Sequence, residues 1–245
     1  MRIPRFYLPI PLAAGMTAPL DDHVFNHAVR VLRLGVNAPC ILFDGQGSAF
    51  AATLIEVGKR SAAAQVLEAV PSATESPLRI TLAQGISRGE KMDYTLQKAV
   101  ELGVTAIQPL FTERSGVQLS GERLARKIQH WQGIVIGACE QCGRDRLPEL
   151  REPVAFMDGL APLTAAPGLG LLLDPLAEQG LRDLTPPSGP MMLLIGSEGG
   201  LSPGELARAR TVGFVGVRLG PRILRTETAG VAALAAIQAL WGDCG

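Results

Sequence analysis

Two short segments near the C-terminus concentrate residue types that can hold a ligand through the backbone. Leu193–Gly200 reads LLIGSEGG and Leu219–Thr228 reads LGPRILRTET. Each follows a run with strand character, and in open α/β sheets ligands bind beyond the carboxyl ends of strands. Gly196, Gly199 and Gly200 remove side chains, so the backbone can approach a ligand closely. The second segment sets Arg222, Arg225 and Glu227 behind Gly220-Pro221, just before a helix start. Ser202-Pro203-Gly204-Glu205 has capping-box spacing, and the helix it opens is expected to offer free N–H groups to an anion such as a carboxylate. A lone Gly-Gly after a strand is an ordinary turn. Two such loops, with Glu198, Arg225 and Glu227 crowded beside them, predict the walls of one pocket. The pocket is not of a common nucleotide type: G-x-G-x-x-G and G-x-x-x-x-G-K-[ST] are absent, and Ser197 is not in a G-x-S-x-G elbow.

The elements that must carry these loops read as α/β. Leu78–Gln84 alternates like a strand, and Ser87–Glu90 (SRGE) has capping-box spacing. The helix that follows carries Met92, Leu96, Ala99 and Val100 on one face and stops near Gly103. Thr105–Leu110 is the next strand, with Pro109 placing its end, and Arg123–Ala138 is a second helix. Leu169–Leu173 and Met191–Ile195 suit buried parallel strands. Phe214–Leu219 is a last strand and Thr226–Trp241 a last helix. The alternation predicts an α/β sheet domain.

Residues before Pro71 differ. Cys40–Phe43, Ala49–Val57 and Ala62–Val70 are short extended runs separated by Asp44-Gly45 and by Lys59-Arg60-Ser61, a pattern that predicts a small β-barrel. His23–Leu34 interrupts it with helical spacing, and Gly35 follows as a stop. Pro71–Pro77 (PSATESP) is the linker candidate, which places one domain at 1–72 and another at 73–245.

Composition narrows the classes. Hydrophobic residues make up 47% and charged residues 19% of 245 residues, which supports a packed core and argues against disorder. No apolar run reaches the ~18–20 residues that span a bilayer. The opening MRIPRFYLPIPL lacks a signal-peptide pattern, so a cytoplasmic location with no membrane partner is expected. The 23 basic and 23 acidic residues balance, which does not preclude a local basic face for phosphates. Cys139-x-x-Cys142 is half of a zinc spacing with no second half, so no metal is expected. Cys40 and Cys244 complete the cysteines, all expected to be reduced thiols. His23, His27 and His130 show no ligand spacing, and Trp131 and Trp241 read as packing residues.

LLIGSEGGLSPGE and LGPRILRTETA resemble the cofactor motifs of the SPOUT methyltransferases. The whole chain resembles the RsmE family of 16S ribosomal RNA uridine-N3 methyltransferases, through Arg2-Ile3-Pro4-Arg5, Val31-Leu32-Arg33, SRGEKM at Ser87–Met92, QKAVELG at Gln97–Gly103 and ACEQCGR at Ala138–Arg144. One departure is Ser197, where the family usually has proline. The resemblance implies an N-terminal PUA-like β-barrel, a SPOUT α/β domain with a deep trefoil knot, a homodimer, and the small ribosomal subunit as partner. It implies S-adenosylmethionine as methyl donor. The cofactor would lie on Ile195, Gly196, Gly199 and Gly200 of the first loop. It would also lie on Leu219, Gly220, Ile223, Leu224, Arg225, Thr226, Thr228 and Ala229 of the second, with Leu173 from the Leu172–Gln179 edge.

Uracil N3 is a neutral imide nitrogen that must lose a proton before it attacks a methyl group. That requires a proton acceptor, or cations that stabilise charge on the flanking carbonyl oxygens. Arg225 and Arg88 are the candidate cations. Glu198 or Glu140 is the candidate acceptor or orienting group, with a structural role standing beside it for Glu140. Glu227 could instead pair Arg225. The alternatives are ribose 2′-O methylation by a related SPOUT enzyme, a non-enzymatic RNA-binding assembly factor and, more distantly, a nicotinamide oxidoreductase. Arg2, Arg5, Arg30, Arg33, Arg88, Lys91 and Arg144 are the candidate RNA contacts. Collectively they predict RNA affinity that falls steeply as salt rises; titrating labelled RNA at increasing ionic strength measures this, and a flat response contradicts a phosphate footprint.

Overall fold

The computed structural model describes residues 3–117, 119–165 and 168–245, with only the backbone described for 161–165. The chain divides into two compact units, Met1–Glu75 with Ile136–Leu147, and Ser76–Val135 with Pro148–Gly245. The sequence pattern places the break at 72/73 and assigns 136–147 to the second domain.

In the first unit, β1 (Arg5–Tyr7), β2 (Thr17–Pro19), β3 (Pro39–Phe43), β4 (Ala49–Val57) and β5 (Ala62–Ala69) form a sheet in the order β1-β3-β4-β5-β2. The β1–β3 pair is parallel and the others antiparallel. Among the described residues the ladder runs from β1 to β2 as a mixed sheet. Phe6, Leu42, Leu54, Ala64 and Val66 pack its core with Val24 and Phe25. These last two belong to α1 (Asp22–Phe25), which the Asp21 carboxylate caps by accepting from the Val24 N–H at 2.8 Å. The predicted single helix over 23–34 is not what forms. A π-helical stretch, Asn26–Val31, continues α1, and Arg33 leaves it with φ +56°. The helical stretch therefore ends at Val31, capped by Leu32, and Arg33 then takes a conformation that non-glycine residues seldom adopt, ahead of Gly35.

Segment 136–147 belongs to this unit because its polar groups are satisfied here. Glu140 Oε1 accepts from the Tyr7 amide at 3.1 Å, Arg5 pairs with Asp145, and Leu147 N–H donates to Gly45 O at 2.9 Å. Arg144, itself buried, grips Glu75 through Nε and Nη2 at 3.1 and 2.7 Å. Burial of Cys139 pushes its thiol up to about 12, so that thiol stays protonated.

The second unit is a parallel sheet in the order β12-β10-β11-β6-β7-β8. Its elements are β6 (Ile80–Gly85), α2 (Glu90–Glu101), β7 (Ala106–Phe111), α3 (Gly121–Cys142), β8 (Glu149–Leu150), β9 (Val154–Ala155), α4 (Phe156–Ala165), β10 (Leu169–Leu173), β11 (Met191–Ile195), α5 (Pro203–Thr211), β12 (Val215–Val217) and α6 (Thr226–Trp241). β11 is buried along its whole length, as a strand flanked on both sides by parallel partners must be. β9 pairs separately with β7. Among the described residues no helix is long and apolar enough to cross a membrane.

Two details of this unit correct the sequence pattern. Pro109 lies inside β7, opposite Gln84, and does not end it. It faces the same side as Ile107, whose carbonyl bonds Arg151, and the missing donor falls in the gap between β8 and β9. The Gln108 side-chain amide covers that gap by donating to Pro109 O and Glu152 O at 3.1 and 2.9 Å. The Ser87–Glu90 capping box does not form. Gly89 caps α2, Glu90 is its first residue, and Ser87 is buried two residues upstream with its hydroxyl on Gly85 O at 3.4 Å.

The Ser202–Glu205 capping box does form. Ser202 Oγ accepts from Glu205 N–H at 3.1 Å and Glu205 Oε2 accepts from Ser202 N–H at 2.8 Å. Glu205 is buried, and its Oε1 also accepts from Glu113 N–H at 2.9 Å, tying the loop after β7 to the start of α5. Each buried N–H left without a partner costs about 1–3 kcal/mol. Glu205→Ala should therefore lower stability by roughly 2–4 kcal/mol, read as a drop in the denaturant midpoint; an unchanged midpoint would contradict the tie.

Candidate cofactor site

The carboxyl ends of three adjacent parallel strands, β12, β10 and β11, open into one cavity of ≈ 680 Å³. Three loops wall it: Asp174–Leu176 after β10, Gly196–Leu201 after β11, and Arg218–Arg225 after β12. Leu173, Ile195, Leu219, Leu224 and Ala229 supply apolar surface. Gly196, Gly199, Gly200 and Gly220 supply backbone, and Ile223, Arg225 and Thr226 complete the predicted set. Thr228 is the exception: it is exposed on α6 and does not line the cavity. The loop after β10, expected only as a third edge, contributes a buried Asp174. Its carboxylate pairs with Arg210 and accepts the Leu176 N–H at 2.9 Å, which holds that loop in a turn.

The first loop closes on itself. Gly200 N–H donates to Ser197 O at 2.9 Å, and a Cβ on Gly196 would stand 2.7 Å from the Gly200 carbonyl carbon, so no side chain fits there. Ser197 is buried, and its hydroxyl receives a 3.3 Å hydrogen bond from Thr112, which ties the loop to the segment after β7. Behind the loop, a Cβ on Gly85 would lie 2.5 Å from Ser197 N. The end of β6 and the loop thus touch backbone to backbone.

Thr226 joins the two predicted loops. Its hydroxyl donates to Gly196 O at 2.6 Å and accepts from Gln84 Nε2 at 3.0 Å; Gln84 Nε2 also reaches Gly196 O at 3.2 Å and Gly85 O at 3.0 Å. Gln84 is fully buried, and its Oε1 has no partner among the described residues. The sequence pattern reads Gln84 only as the end of a strand. The available signal was a polar residue at the carboxyl end of an otherwise apolar buried strand, where an unpaired amide would be costly.

Glu198 does not stand free over the cavity. Its Oε1 accepts from the Arg88 backbone N–H at 2.9 Å and lies 3.6 Å from Lys91 Nζ. Partial burial pushes its carboxyl up, but the Arg88 amide, its own amide and the Lys91 ammonium outweigh that and hold it below the usual carboxylate range. The group that receives the N–H ahead of α2 is therefore Glu198, not Ser87. The Arg88 side chain is exposed and lies against Gly116, away from the cavity lining. Arg225, the N-cap residue of α6, lines the cavity with no hydrogen bond or ion pair from its side chain among the described residues. The alternative Glu227–Arg225 pair does not form; Glu227 Oε2 is shielded and unpartnered.

The α5 start offers fewer free N–H groups than the sequence suggests. Pro203 has no N–H, and Glu205 N–H is taken by Ser202 Oγ. Glu140 lies in the first unit, where burial raises its carboxyl and the Tyr7 amide and His27 only partly offset this. Of the candidate RNA contacts, Arg5 and Arg144 are held in ion pairs with Asp145 and Glu75, and Lys91 faces Glu198. Arg30 is exposed and donates to Lys59 O at 2.6 Å, Arg33 is exposed, and Arg2 lies outside the described residues. The basic face is therefore smaller than the sequence suggests, because two of its cations neutralise carboxylates of their own unit.

The contact between β6 and the loop gives a direct test. Gly85→Ala must push Ser197 and Gly196 off their positions, with an expected cost of about 1–3 kcal/mol for overpacking. Faster proteolytic cleavage within 196–201, with the rest of the chain protected, is the expected readout; cleavage at the wild-type rate would show that the contact is not tight.

Comparison with known proteins agrees with this geometry. Residues 74–238 match the RNA methyltransferase domain family and residues 20–67 the RNA methyltransferase PUA domain family. The Ribosomal RNA small subunit methyltransferase E of Buchnera aphidicola (subsp. Acyrthosiphon pisum) is 34% identical over 242 residues, covering 99% of this chain and 95% of the relative. The crystal structure of Ribosomal RNA small subunit methyltransferase E from Neisseria gonorrhoeae, bound to S-adenosyl methionine, is 44% identical over 100% of both chains with a TM-score of 0.92. A Legionella pneumophila protein solved with bound SAM is 39% identical over 99% of this chain and 100% of that one, with a TM-score of 0.93. This chain belongs to the ribosomal RNA small subunit methyltransferase E family.

Proposed function

We propose that this protein transfers a methyl group from S-adenosylmethionine to N3 of a uridine in 16S ribosomal RNA of the small subunit. One observation carries the reading. The cavity at the ends of β12, β10 and β11 is built from the two motif loops, in a chain related over its whole length to a methyltransferase solved with that cofactor. The residues present fit such a ligand. Apolar walls from Leu173, Ile195, Leu219 and Leu224 suit a purine ring, and Gly200 and Gly220 line the cavity with open space where a Cβ would stand. A volume of ≈ 680 Å³ is in the range of small-molecule sites.

The cofactor supplies an electrophilic methyl group on a sulfonium. The rest of the task falls to side chains. Arg225, like Arg218 and Arg222, lines the cavity with no carboxylate partner among the described residues, and it directly precedes Thr226; its charge is available to the uracil carbonyl oxygens as N3 gives its proton to solvent water. Thr226 and Gln84 fix the start of α6 and so fix where Arg225 emerges. Glu198 is ionised and already bonded to Arg88 and Lys91, and a carboxylate held below its usual range is a weak base. Its role is to latch the cofactor loop to α2.

The same reading gives the first unit a PUA-like barrel, gives the second a deep trefoil knot, and makes the protein a cytoplasmic homodimer. The strand order supports the knot: β11 leads through α5 to β12 on the far side of β10, and α6 then returns to pack on α2, which follows β6.

Small subunits from a strain lacking this activity, incubated with the protein and cofactor and digested to nucleosides, should carry the new methyl on N3 of uridine. A methyl on ribose would replace this reading with 2′-O transfer, and no cofactor binding by calorimetry would remove the enzyme. Arg225→Ala should lower kcat by about 100-fold or more, with a smaller change in cofactor affinity; near-normal turnover would take Arg225 out of the mechanism.

A further inference from the structure

The first unit holds a second cavity, of ≈ 560 Å³, that the methyl-transfer site does not use; all of its lining residues belong to that unit. Ile3, Leu32, Leu34 and Pro39 make apolar walls, and Arg5, His27, Glu140 and Gln141 bring polar groups to them. Ile3 and Leu32 are 46% and 43% exposed, unusual for apolar residues that flank a concavity.

The polar groups form a donor–acceptor edge. Glu140 Oε1 accepts from the Tyr7 amide at 3.1 Å and Oε2 lies 3.2 Å from His27 Nδ1. Each carboxylate oxygen can accept a second hydrogen bond. Arg5 spends Nη2 on Asp145, and its buried Nε has no partner among the described residues. Gln141 is exposed and unbonded at the same cavity, with a carboxamide that can donate and accept. The His27 ring meets Phe6 in an edge contact at a centroid distance of 5.4 Å, and its side chain is 38% exposed. Arg30 and Arg33, on the π-helical stretch and just after it, are exposed cations beside these walls in sequence.

We infer that this cavity receives one unstacked base of the substrate RNA, and that it favours a base whose ring N–H adjoins a carbonyl, uracil or guanine. Apolar walls take the faces of the base. The Glu140 carboxylate takes the ring N–H, and the Gln141 amide meets the adjoining carbonyl. Adenine and cytosine offer no ring N–H on that edge. Arg30 and Arg33 follow the phosphates on either side. The inference rests on the RNA substrate proposed above, and it assigns the first unit a base-reading role in addition to a phosphate-binding one.

Photocrosslinking tests it on the full chain. A short single-stranded RNA carrying one 4-thiouridine should crosslink to peptides containing His27–Pro39 or Gly137–Gln141, and uridine or guanosine monophosphate should compete while the adenosine and cytidine forms should not. Gln141→Trp, a change at an exposed helix position, should plug the cavity and cut that crosslink at least tenfold while leaving the affinity for S-adenosylmethionine unchanged. Glu140→Gln should abolish the preference among the four competitors. Crosslinks confined to other peptides, equal competition by all four nucleotides, or full crosslinking by Gln141→Trp would overturn the inference. So would a change in oligomeric state of Gln141→Trp with crosslinking intact, since the cavity would then seat a second copy of the chain. If cofactor binding and base methylation hold while these tests fail, only the base pocket falls; if cofactor binding itself fails, the enzymatic reading falls first.

Discussion

The carbonyl oxygen of Gly196 is the point on which the cofactor cavity depends. It sits just past the end of β11, where the sheet ladder no longer supplies a partner, and it is satisfied by Thr226 Oγ1 at 2.6 Å and Gln84 Nε2 at 3.2 Å. A buried carbonyl without a donor would cost as much as a lost hydrogen bond. The two donors come from residues far apart in sequence, one at the end of β6 and one at the start of α6. Meeting the needs of one oxygen therefore fixes three chain segments relative to each other. Arg225 precedes Thr226, so the same bond decides where one of the cavity's uncompensated cations stands. The network is not fully satisfied, since Gln84 Oε1 lacks a partner, and a buried amide with one unmet acceptor is tolerated here at a functional position.

Two carboxylates extend the same logic outward. Glu205 receives the amides of Ser202 and Glu113, and Glu198 receives the amide of Arg88. In each case a side chain from the loop–helix region after β11 satisfies a backbone N–H on a loop that follows a different strand. Glu205 is buried and reinforces a helix cap, so it acts mainly on stability. Glu198 is more exposed, its interaction with Lys91 is of the kind that contributes little to folding, and its effect is on the placement of one loop. The acidic character of SEGGLSPGE is thus used for organising backbone, and the positive charge at the cavity is left without a neutralising partner.

The first unit uses its charges differently. Arg5 and Arg144 look, in the sequence, like two more cations for phosphate, but both are spent on carboxylates of their own unit. Arg144 is buried with its partner only part-exposed, and such a pair favours one arrangement of segment 136–147 against the sheet more than it adds stability. What remains toward solvent is a concave apolar surface with a carboxylate, an imidazole and an amide. That combination suits a neutral base better than a phosphate, which the Glu140 carboxylate would repel.

The sequence alone determined the period and composition of the elements. β11, the Ser202–Glu205 cap and the bounds of α6 follow from local patterns, because an apolar run, a capping box and an alanine-rich amphipathic stretch are stabilised largely by near neighbours. The motif loops were legible for the same reason, being contiguous. Tertiary structure decided whatever depends on a partner distant in sequence. Ser87 and Glu90 have the right spacing for a cap, yet none forms, and the Arg88 N–H between them goes to Glu198, 110 residues away. Pro109 ends a strand by local rule, yet β7 runs through it because Gln108 covers the missing donor. Arg144 is a surface cation by type, yet Glu75 draws it inside. Gln84 is an unremarkable strand residue until Gly196 and Thr226 are placed beside it. A one-dimensional pattern records which groups need a partner, and only the folded chain records which partner reaches them.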